Sequence, residues 1–547
     1  MKFLPAVLCL AASLAIALSP KGGLQKAATS EHLGNEACAP CHAEIYKSYL
    51  ATAMARASGP ALQGFLPGEF DDQVSGVRYR IYEHEGRVWM SYERGSDLSG
   101  TRELLYFIGS GRKGRTYLFS DDDYLFEAPI NWYSQENRWN MTPAYTQARE
   151  IPMNLPAFTS CLNCHTSGVQ PHISGTTNKY PDRPFVHDGI TCERCHGSGE
   201  AHADGKGAIV NPAKLPSQRR DAICMACHFE GTVMVEQRHK RLSEFQPGEQ
   251  LSDYVHYFVL CDQESHPAEA LSQFEALSLS ACKRKSGDRL WCGTCHDPHS
   301  EPAAADKVAY YRRKCLECHA EAFAAKHHPN KPDCAGCHMP ARPSKDVAHT
   351  QATDHRILRN PSTLPLQNQP AAREARLEAF PGNTVVTTRD LAIAWEVLAG
   401  RGVSGADRKA GEFLRQSLKE TPDDPRLLSS DAFEEQKHGR DNEARKLYQH
   451  ALQRRPSANT AATNLGILEA RTGDLQHAVR LWQQAFQRVP YRTEIGMNLA
   501  KAFCAAGQKD EARQYIERVL EFNPDDTSAR QMLTRLRDHS GECSPQK

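Results

Sequence analysis

The stretch that decides the fold runs from CLNCH (161–165) through CERCH (192–196), CMACH (224–228), CGTCH (292–296) and CLECH (315–319) to CAGCH (334–338). These segments share the pattern Cys-x-x-Cys-His, and a further copy, CAPCH (38–42), lies upstream, so we number the motifs 1 to 7 in chain order. The pattern is the attachment signature of a c-type haem: both cysteines bond to the porphyrin and the histidine binds iron. The gaps between motifs are too short for ordinary domains, so we expect the porphyrins themselves to form the core.

Both cysteines of every motif are therefore expected to bind a porphyrin through thioether bonds. In chain order these expected attachment residues are Cys38, Cys41, Cys161, Cys164, Cys192, Cys195, Cys224, Cys227, Cys292, Cys295, Cys315, Cys318, Cys334 and Cys337.

Cysteine usage favours haem over zinc or disulfides. Of 19 cysteines, all but Cys9, Cys261, Cys282, Cys504 and Cys543 lie in the seven motifs. A zinc site needs four ligands and does not require a histidine directly after every second cysteine. Cys261 and Cys282 are left as either a disulfide or two buried thiols, and Cys504 is expected to pack on the core side of a repeat helix.

Charge and the N-terminus limit the partners and place the chain outside the cytoplasm. Lys and Arg total 66, as do Asp and Glu, so composition offers no argument for nucleic acid or an anionic membrane. Residues 1–19 combine one lysine, an apolar run and small residues, which predicts a signal peptide. The run is short for an uncleaved anchor, so we expect a mature chain without a membrane span, periplasmic or otherwise exported.

The first part of the chain divides into a haem site and a β-rich insert. Residues 30–64 hold motif 1, followed by the helix-like AEIYKSYLATAMARA (43–57). The insert spans residues 65–150, where VRYRIYEHEGRVWMSYE (77–93) alternates apolar and polar residues around a turn and predicts a β-hairpin. Residues 151–360 form the six-haem region, with little regular structure expected beyond short helices.

The C-terminal part contains an internal repeat after a predicted linker over residues 361–387. Three residue types recur with a period of 34: Pro422, Pro456, Pro490 and Pro524; Gly405, Gly439, Gly473 and Gly507; and Ala410, Ala444, Ala478 and Ala512. This period and order are typical of tetratricopeptide repeats. We expect four repeats over 391–526 and a capping helix over 527–538, within a domain of residues 388–540. The predicted fold is mainly α: a haem-packed region with a small β-rich insert, then an α-solenoid.

The second axial ligand of each iron decides what these haems can do. The expected proximal ligands are His42, His165, His196, His228, His296, His319 and His338. Histidines outside the motifs cluster among them, which favours bis-His coordination, with candidate distal ligands His202, His266, His299, His328, His349 and His355. Haem 1 lacks an obvious nearby histidine, and Met54 is its candidate ligand. If Met54 only packs in the core, haem 1 either recruits a distant histidine or stays open.

Several segments resemble a known family: CAPCHAEIYKSY (38–49), YFIGSGRKGRTYLF (106–119), GITCERCHGSGEAH (189–202), LWCGTCHDPH (290–299) and CHMP (337–340) followed by DVAHTQATDHRI (346–357). They resemble multihaem cytochromes of the doubled Cys-x-x-Cys-His type, which are similar to the tetrahaem cytochromes that carry electrons from hydroxylamine oxidoreductase. The resemblance implies packed haems that pass electrons. It also implies His202, His299, His349 and His355 as distal ligands. Relatives usually carry a histidine where this chain has Met54.

Two functions from different classes follow. The leading one is an exported carrier with seven covalently attached haems c and no catalytic residues, in which the repeats dock a redox partner. The alternative is a reductase or oxidase of a small nitrogen or sulfur oxyanion, working at an open haem 1. The repeats also remain open to a purely structural or dimerising role, and their bulk argues against a stacked haem filament.

Overall fold

The structure is a computed structural model and describes residues 32–151, 153–261, 272–327, 331–343, 351–360, 376–381 and 384–538. The predicted signal segment 1–19 lies outside these ranges, as do the candidate ligands His266, His328 and His349. Within the described ranges, no helix is long and apolar enough to cross a membrane.

Nine strands follow the first helix, α1 (Ala43–Tyr49), and form two antiparallel sheets. They are β1 (Ser58–Pro60), β2 (Gly68–Asp71), β3 (Arg78–His84), β4 (Arg87–Arg94), β5 (Leu98–Leu104), β6 (Tyr106–Ile108), β7 (Gly114–Asp121), β8 (Tyr124–Tyr133) and β9 (Arg138–Met141). The sheet orders are β2-β3-β4-β5 and β1-β6-β7-β8-β9. The hairpin predicted over residues 77–93 is confirmed: buried Tyr79 lies opposite buried Tyr92, and both Glu85 and Gly86 have positive φ in the turn.

Motifs 2 to 7 lie among short helices and three small sheets. The helices are α2 (Thr159–His165), α3 (Glu193–His196), α4 (Glu200–Ala203), α5 (Ser217–His228), α6 (Gln273–Leu279), α7 (Ala281–Ser286), α8 (Cys292–Cys295), α9 (Lys307–Leu316), α10 (Glu321–His327) and α11 (Cys334–His338). The strands are β10 (Thr166–Val169), β11 (Phe185–Asp188), β12 (Val233–Glu236), β13 (Val255–Cys261), β14 (Ala341–Pro343), β15 (Gln351–Thr353) and β16 (Arg376–Phe380).

The sheet β12-β13-β16 corrects two expectations from sequence. Its central strand, VHYFVLC, is almost entirely buried, so this region holds more regular structure than predicted. A continuous run of β-branched and aromatic residues is typical of a strand covered on both faces. Its edge strand β16 lies within the predicted linker 361–387, so at least residues 376–380 are part of the folded core.

The repeat domain contains four helix pairs and a capping helix. The helices are α12 (Thr388–Gly400), α13 (Ala406–Glu420), α14 (Pro425–Lys437), α15 (Asp441–Arg454), α16 (Asn459–Arg471), α17 (Leu475–Arg488), α18 (Thr493–Ala505), α19 (Lys509–Phe522) and α20 (Thr527–Arg537). Gly439, Gly473 and Gly507 have positive φ in the turns within pairs, where a side chain would strain the backbone. Ala444 and Ala478 are fully buried where helices approach closely. The prediction of a mainly α chain ending in a repeat solenoid is confirmed.

The repeat domain packs against the rest of the chain at two places. The face of α12 that carries Trp395 and Leu398 covers the sheet β12-β13-β16, where Phe258 is buried. Farther along, the turns between repeats pack against β8: Phe126 contacts Tyr491 and Phe522 with ring centroids 5.6 Å apart in each case. The solenoid is therefore fixed to both the haem-motif region and the β-rich insert.

Candidate haem-binding sites

Each motif forms a single helical turn that brings its two cysteines and its histidine together. The histidine backbone N–H donates to the carbonyl of the first cysteine in motifs 1, 3, 5 and 6, over 2.9–3.0 Å (His42 to Cys38, His196 to Cys192, His296 to Cys292 and His319 to Cys315). Residues three and four apart lie on one side of a helical turn. Two thiols and an imidazole therefore point to a common space, as attachment to one porphyrin requires.

Three histidine pairs face one another across a gap. The ring centroids of His42 and His202 lie 6.3 Å apart with an interplanar angle of 19°. His196 and His299 are 5.9 Å apart at 19°.

The third pair completes the set: the ring centroids of His296 and His355 are 6.2 Å apart, at 32°. Two iron–nitrogen bonds of about 2 Å, together with the ring centres behind the nitrogens, would separate centroids by about 6 Å. The three gaps therefore fit an iron ion between each pair.

Hydrogen bonds at Nδ1 orient several of these rings. The Nδ1 atom of His196 lies 2.8 Å from the carbonyl oxygen of Val210, and that of His355 lies 2.8 Å from the oxygen of Thr353. A carbonyl partner places the ring proton on Nδ1 and leaves the Nε2 lone pair available to a metal.

Burial favours the neutral form that metal binding requires. Desolvation lowers the pKa of five motif or facing histidines below the ordinary value, namely His165, His196, His228, His296 and His355. A neutral imidazole offers a lone pair to iron, whereas a protonated one does not. These rings are therefore suited to ligate metal at neutral pH.

Thiols of different motifs lie side by side, which shows which motifs are neighbours. Cys192 of motif 3 contacts Cys38 of motif 1, and Cys164 of motif 2 contacts Cys227 of motif 4. Motif 4 also contacts motif 5, and motif 6 contacts motif 7, through the pairs Cys224–Cys292 and Cys315–Cys334. All 14 motif cysteines are thiols in the structure. Haems attached to such motifs would be close neighbours.

The motif cysteines differ in how far protein atoms cover them. Most are partly buried, including both cysteines of motif 3, Cys192 and Cys195. Cys41, Cys318 and Cys337 are exposed to solvent.

The physical reason for this exposure is the position of the three helical turns. Each exposed thiol is the second cysteine of its motif, in motifs 1, 6 and 7. The turns and helices that carry these motifs contain no buried residue, so protein atoms leave the second thiol at the surface.

Large apolar side chains beside the motifs are uncovered by protein atoms. Ile45 on α1 is 47% exposed, Val308 on α9 is 40% exposed, and Phe158 directly before α2 is 44% exposed. A porphyrin is a large apolar body that would cover such side chains. Together with the facing histidines, these surfaces fit haem.

The structure corrects two details of the sequence reasoning around haem 1. Helix α1 ends at Tyr49, whereas a helix over residues 43–57 was expected, so Met54 lies in the turns beyond it. There the Met54 carbonyl accepts hydrogen bonds from Ala57 and Ile190. The ring that faces His42 belongs to His202, so the described geometry favours a histidine distant in sequence over Met54 as the partner of His42.

Other predicted residues have a mixed outcome. His202, His299 and His355 each face a motif histidine, whereas the histidines opposite His165, His228, His319 and His338 are not identified among the described residues.

Cys261 and Cys282 are thiols and form no disulfide with each other. Cys504 is buried in the core on its repeat helix, as expected, and it is also disulfide-bonded. No sequence pattern indicated Tyr311, whose hydroxyl lies 3.2 Å from Nδ1 of His296.

Three family models match separate parts of the chain. Residues 131–197 match the model described as cytochrome c554 and c-prime, and residues 284–324 match the doubled CXXCH motif. Residues 469–536 match a tetratricopeptide repeat. No curated protein sequence matches the chain.

Similar solved structures each cover only a part of this chain. A structure titled crystal structure of MamA has a TM-score of 0.24 and 17% identity, covering 26% of this chain and 84% of that one. The mutant O-GlcNAc transferase of Thermobaculum terrenum has a TM-score of 0.19 and 26% identity, covering 20% of this chain and 22% of that one.

Proposed function

Because this chain is a multihaem c-type cytochrome fused to a tetratricopeptide repeat domain, we propose that it is an exported carrier of electrons with seven haems c. Haem iron supplies reversible one-electron chemistry when bound. The chain's contribution is to hold the groups in series, fix their axial ligands and present a surface to a partner. The seven motif histidines and fourteen motif cysteines would hold the groups.

The facing histidine pairs are the observation that carries the proposal. In each pair, the ring centroids are separated by about the distance that one iron ion between two imidazoles requires. The pairs are His202 with His42, His299 with His196, and His355 with His296. An iron with two histidine ligands has no position for a substrate, and such haems act as carriers. We therefore assign haems 1, 3 and 5 to bis-His coordination by these pairs.

The pairs also connect the odd-numbered motifs along the chain. His202 follows motif 3 and faces motif 1, His299 follows motif 5 and faces motif 3, and His355 follows motif 7 and faces motif 5. Each segment thus supplies a ligand to the site two motifs earlier. This arrangement supports a continuous row of sites rather than seven separate ones.

The same geometry weighs against the oxyanion reductase. That alternative needs an open iron at haem 1, and His202 occupies the position opposite His42. Met54 is not on the helix that would have brought it to the site. The carrier is therefore the function that the described residues support best.

We assign partner docking to the outward face of the repeat helices. The contacts with the rest of the chain use α12, the turns between repeats and the last helices, α19 and α20. The solvent face of α13 remains available, including exposed Glu412 and Arg415. Stacked repeats present extended binding surfaces of this kind. The disulfide at Cys504 supports export, since such bonds persist in oxidising compartments.

Electron paramagnetic resonance of the oxidised full-length holoprotein tests the proposal, with intact-mass measurement to count the haems. We expect seven covalent haems and low-spin bis-His signals from haems 1, 3 and 5. A high-spin signal that disappears when haem 1 is lost, as in a Cys38→Ala/Cys41→Ala variant, would contradict the carrier and favour the reductase. The matched variant Cys334→Ala/Cys337→Ala, which removes haem 7, controls for the general effect of losing one haem.

A further inference from the structure

Asp297 lies in sequence between the proposed ligands of two different irons, His296 and His299. It directly follows His296, the motif 5 histidine, and precedes His299, the ring that faces His196 of motif 3. Its Oδ1 atom lies 3.4 Å from Nδ1 of His299. The nitrogen on the far side of the His299 ring, Nε2, is the one left for iron.

The carboxylate is fixed in this position by its neighbours. The backbone N–H of His299 donates to Oδ1 of Asp297 over 2.9 Å, and the Ser300 hydroxyl donates to Oδ2 over 2.7 Å. Pro298 restricts the backbone between the two residues. The charge therefore keeps one place relative to the His299 ring instead of turning freely into solvent.

The other oriented rings have uncharged oxygens at the same nitrogen. Nδ1 lies near a backbone carbonyl in His196, His202 and His355, and near the Tyr311 hydroxyl in His296. Among the three facing pairs, as far as the described residues show their contacts, the carboxylate at His299 is the exception.

A carboxylate at Nδ1 changes what the opposite nitrogen offers to iron. It polarises the N–H bond, gives the ring more imidazolate character and makes Nε2 a stronger donor. A stronger donor stabilises oxidised iron more than reduced iron, so the reduction potential falls. A phenol oxygen, as at His296, is a weaker acceptor and has a smaller effect.

We propose that Asp297 is a positioning and tuning residue that sets haem 3 at a lower reduction potential than haems 1 and 5. The proposal rests on the bis-His assignment of haem 3 to His196 and His299. One electron enters and leaves each iron, with the redox partner as donor or acceptor, and no bond is made or broken. If haem 3 has a lower reduction potential than haems 1 and 5, electrons would reside on the haems on either side of it. Haem 3 would then separate two groups of haems that hold electrons.

Spectroelectrochemical titration of the full-length holoprotein tests the proposal through Asp297→Asn. The amide keeps the shape but removes the charge, so one of the reduction waves moves to more positive potential. The expected change is about tenfold in its equilibrium constant, which is about 59 mV for one electron. Solvent around the half-exposed carboxylate limits the effect to this size.

A second variant gives the opposite sign, which a merely structural disturbance would not. Ser300→Ala removes the hydroxyl that shares the carboxylate's charge, so the same wave moves to more negative potential. Asp306→Asn removes an exposed carboxylate of the same segment and is expected to leave every wave in place.

The variant His299→Met identifies which reduction wave belongs to haem 3. It also distinguishes an error in the His196–His299 pairing from an error in the role of Asp297. It gives haem 3 a thioether ligand, raises that potential and adds the charge-transfer band of methionine-ligated ferric haem. If His299→Met changes no spectrum or wave, the pairing itself is wrong. If it moves a wave that Asp297→Asn leaves unchanged or shifts negatively, the pairing stands and the tuning role is overturned.

Discussion

At the scale of single residues, the choice between His202 and Met54 decides the coordination of haem 1. His202 faces His42 with nearly parallel rings, so we expect His202→Ala to open that iron. One haem should then change from low to high spin and bind an added ligand such as cyanide. Electron paramagnetic resonance and the visible spectrum of the oxidised holoprotein measure both changes.

Met54→Leu is the matched control because it keeps an apolar side chain of similar volume. We expect this variant to retain every low-spin signal, since Met54 lies in the turns after α1. The assignment of His202 would be wrong if Met54→Leu, rather than His202→Ala, produced the high-spin haem.

The expected proximal histidines follow from the sequence motif alone, whereas the facing histidines could only be narrowed to candidates. Covalent attachment requires two cysteines and a histidine within one helical turn, so the spacing of neighbouring residues is enough to recognise the attachment site. The facing histidine comes from a distant segment, and its partner depends on how the chain returns past an earlier motif. His202 is adjacent to motif 3 yet faces motif 1, which no local pattern could indicate.

The same limit applies to the exposure of the attachment cysteines. Cys195 and Cys318 hold the same position in their motifs, yet the first is partly buried and the second is exposed. The difference arises from the segments packed around each turn, which the motif itself does not encode.

At the scale of elements, periodic patterns predicted the solenoid and the hairpin but not the strand β16. The repeat helices obey a rule that recurs every 34 residues, so each turn glycine and buried alanine supports the others. Residues 376–380 lack such a pattern, and they form a strand only because β13 offers a buried edge to pair with. Tertiary context, rather than propensity, decides that element.

The first turn of α12 contains a buried carboxylate that links the repeats to β13. Asp390 Oδ2 lies 3.0 Å from Nδ1 of His256 and accepts hydrogen bonds from the backbone and the hydroxyl of Thr387. Burial alone would raise the pKa of Asp390, but the hydrogen bonds from His256 and Thr387 outweigh it and leave the pKa lowered. The ionised form is therefore the one that stabilises this contact.

We expect Asp390→Asn to weaken the local stability of α12 by about 1–3 kcal/mol at neutral pH, because the amide cannot accept these bonds in the same way. A carboxyl whose pKa is lowered by folding contributes stability above its unfolded pKa of about 4 and loses it as pH falls further. The difference between the variant and the natural chain should therefore be constant from pH 7 to about 4.5 and shrink below that.

Hydrogen exchange of the α12 amides, read at each pH, measures this difference. Asp407→Asn is the matched control, because Asp407 lies in the first turn of α13 and its side chain is 73% exposed. Equal protection of α12 in the Asp390→Asn variant and the natural chain at pH 7 would contradict the proposed role of the contact.

At the scale of the whole molecule, the repeat domain is a part of the protein core and not an appendage. Its first helix covers the sheet next to motif 4, and its later turns pack on the β-rich insert. Arg94 of the insert also forms an ion pair with the buried Asp525 carboxylate after α19. A partner bound to the repeats would thus be held at a fixed position relative to the haem row.

This arrangement predicts that a fragment of residues 388–547 self-associates and is less stable than the same residues in the full chain. Trp395 and Leu398 are 3% and 1% exposed in the full chain and would face solvent in the fragment. Each large apolar side chain left in water forfeits about 1.5–3 kcal/mol of burial. We expect the fragment to self-associate, to bind a hydrophobic dye and to unfold at a lower temperature than the same helices in the holoprotein.

Analytical ultracentrifugation, dye fluorescence and circular dichroism of the fragment measure these effects. A matched fragment with Trp395→Gln and Leu398→Lys replaces the apolar contacts on the face of α12, and it should remain monomeric and bind less dye. A natural fragment that is monomeric, binds no dye and melts with the full chain would show that the repeats fold independently. The haem row and the repeats would then be separable units, and a partner on the repeats would have no fixed distance to the nearest haem. If the natural fragment self-associates and the two substitutions abolish this, the self-association arises from the face of α12 that covers β12-β13-β16 in the full chain.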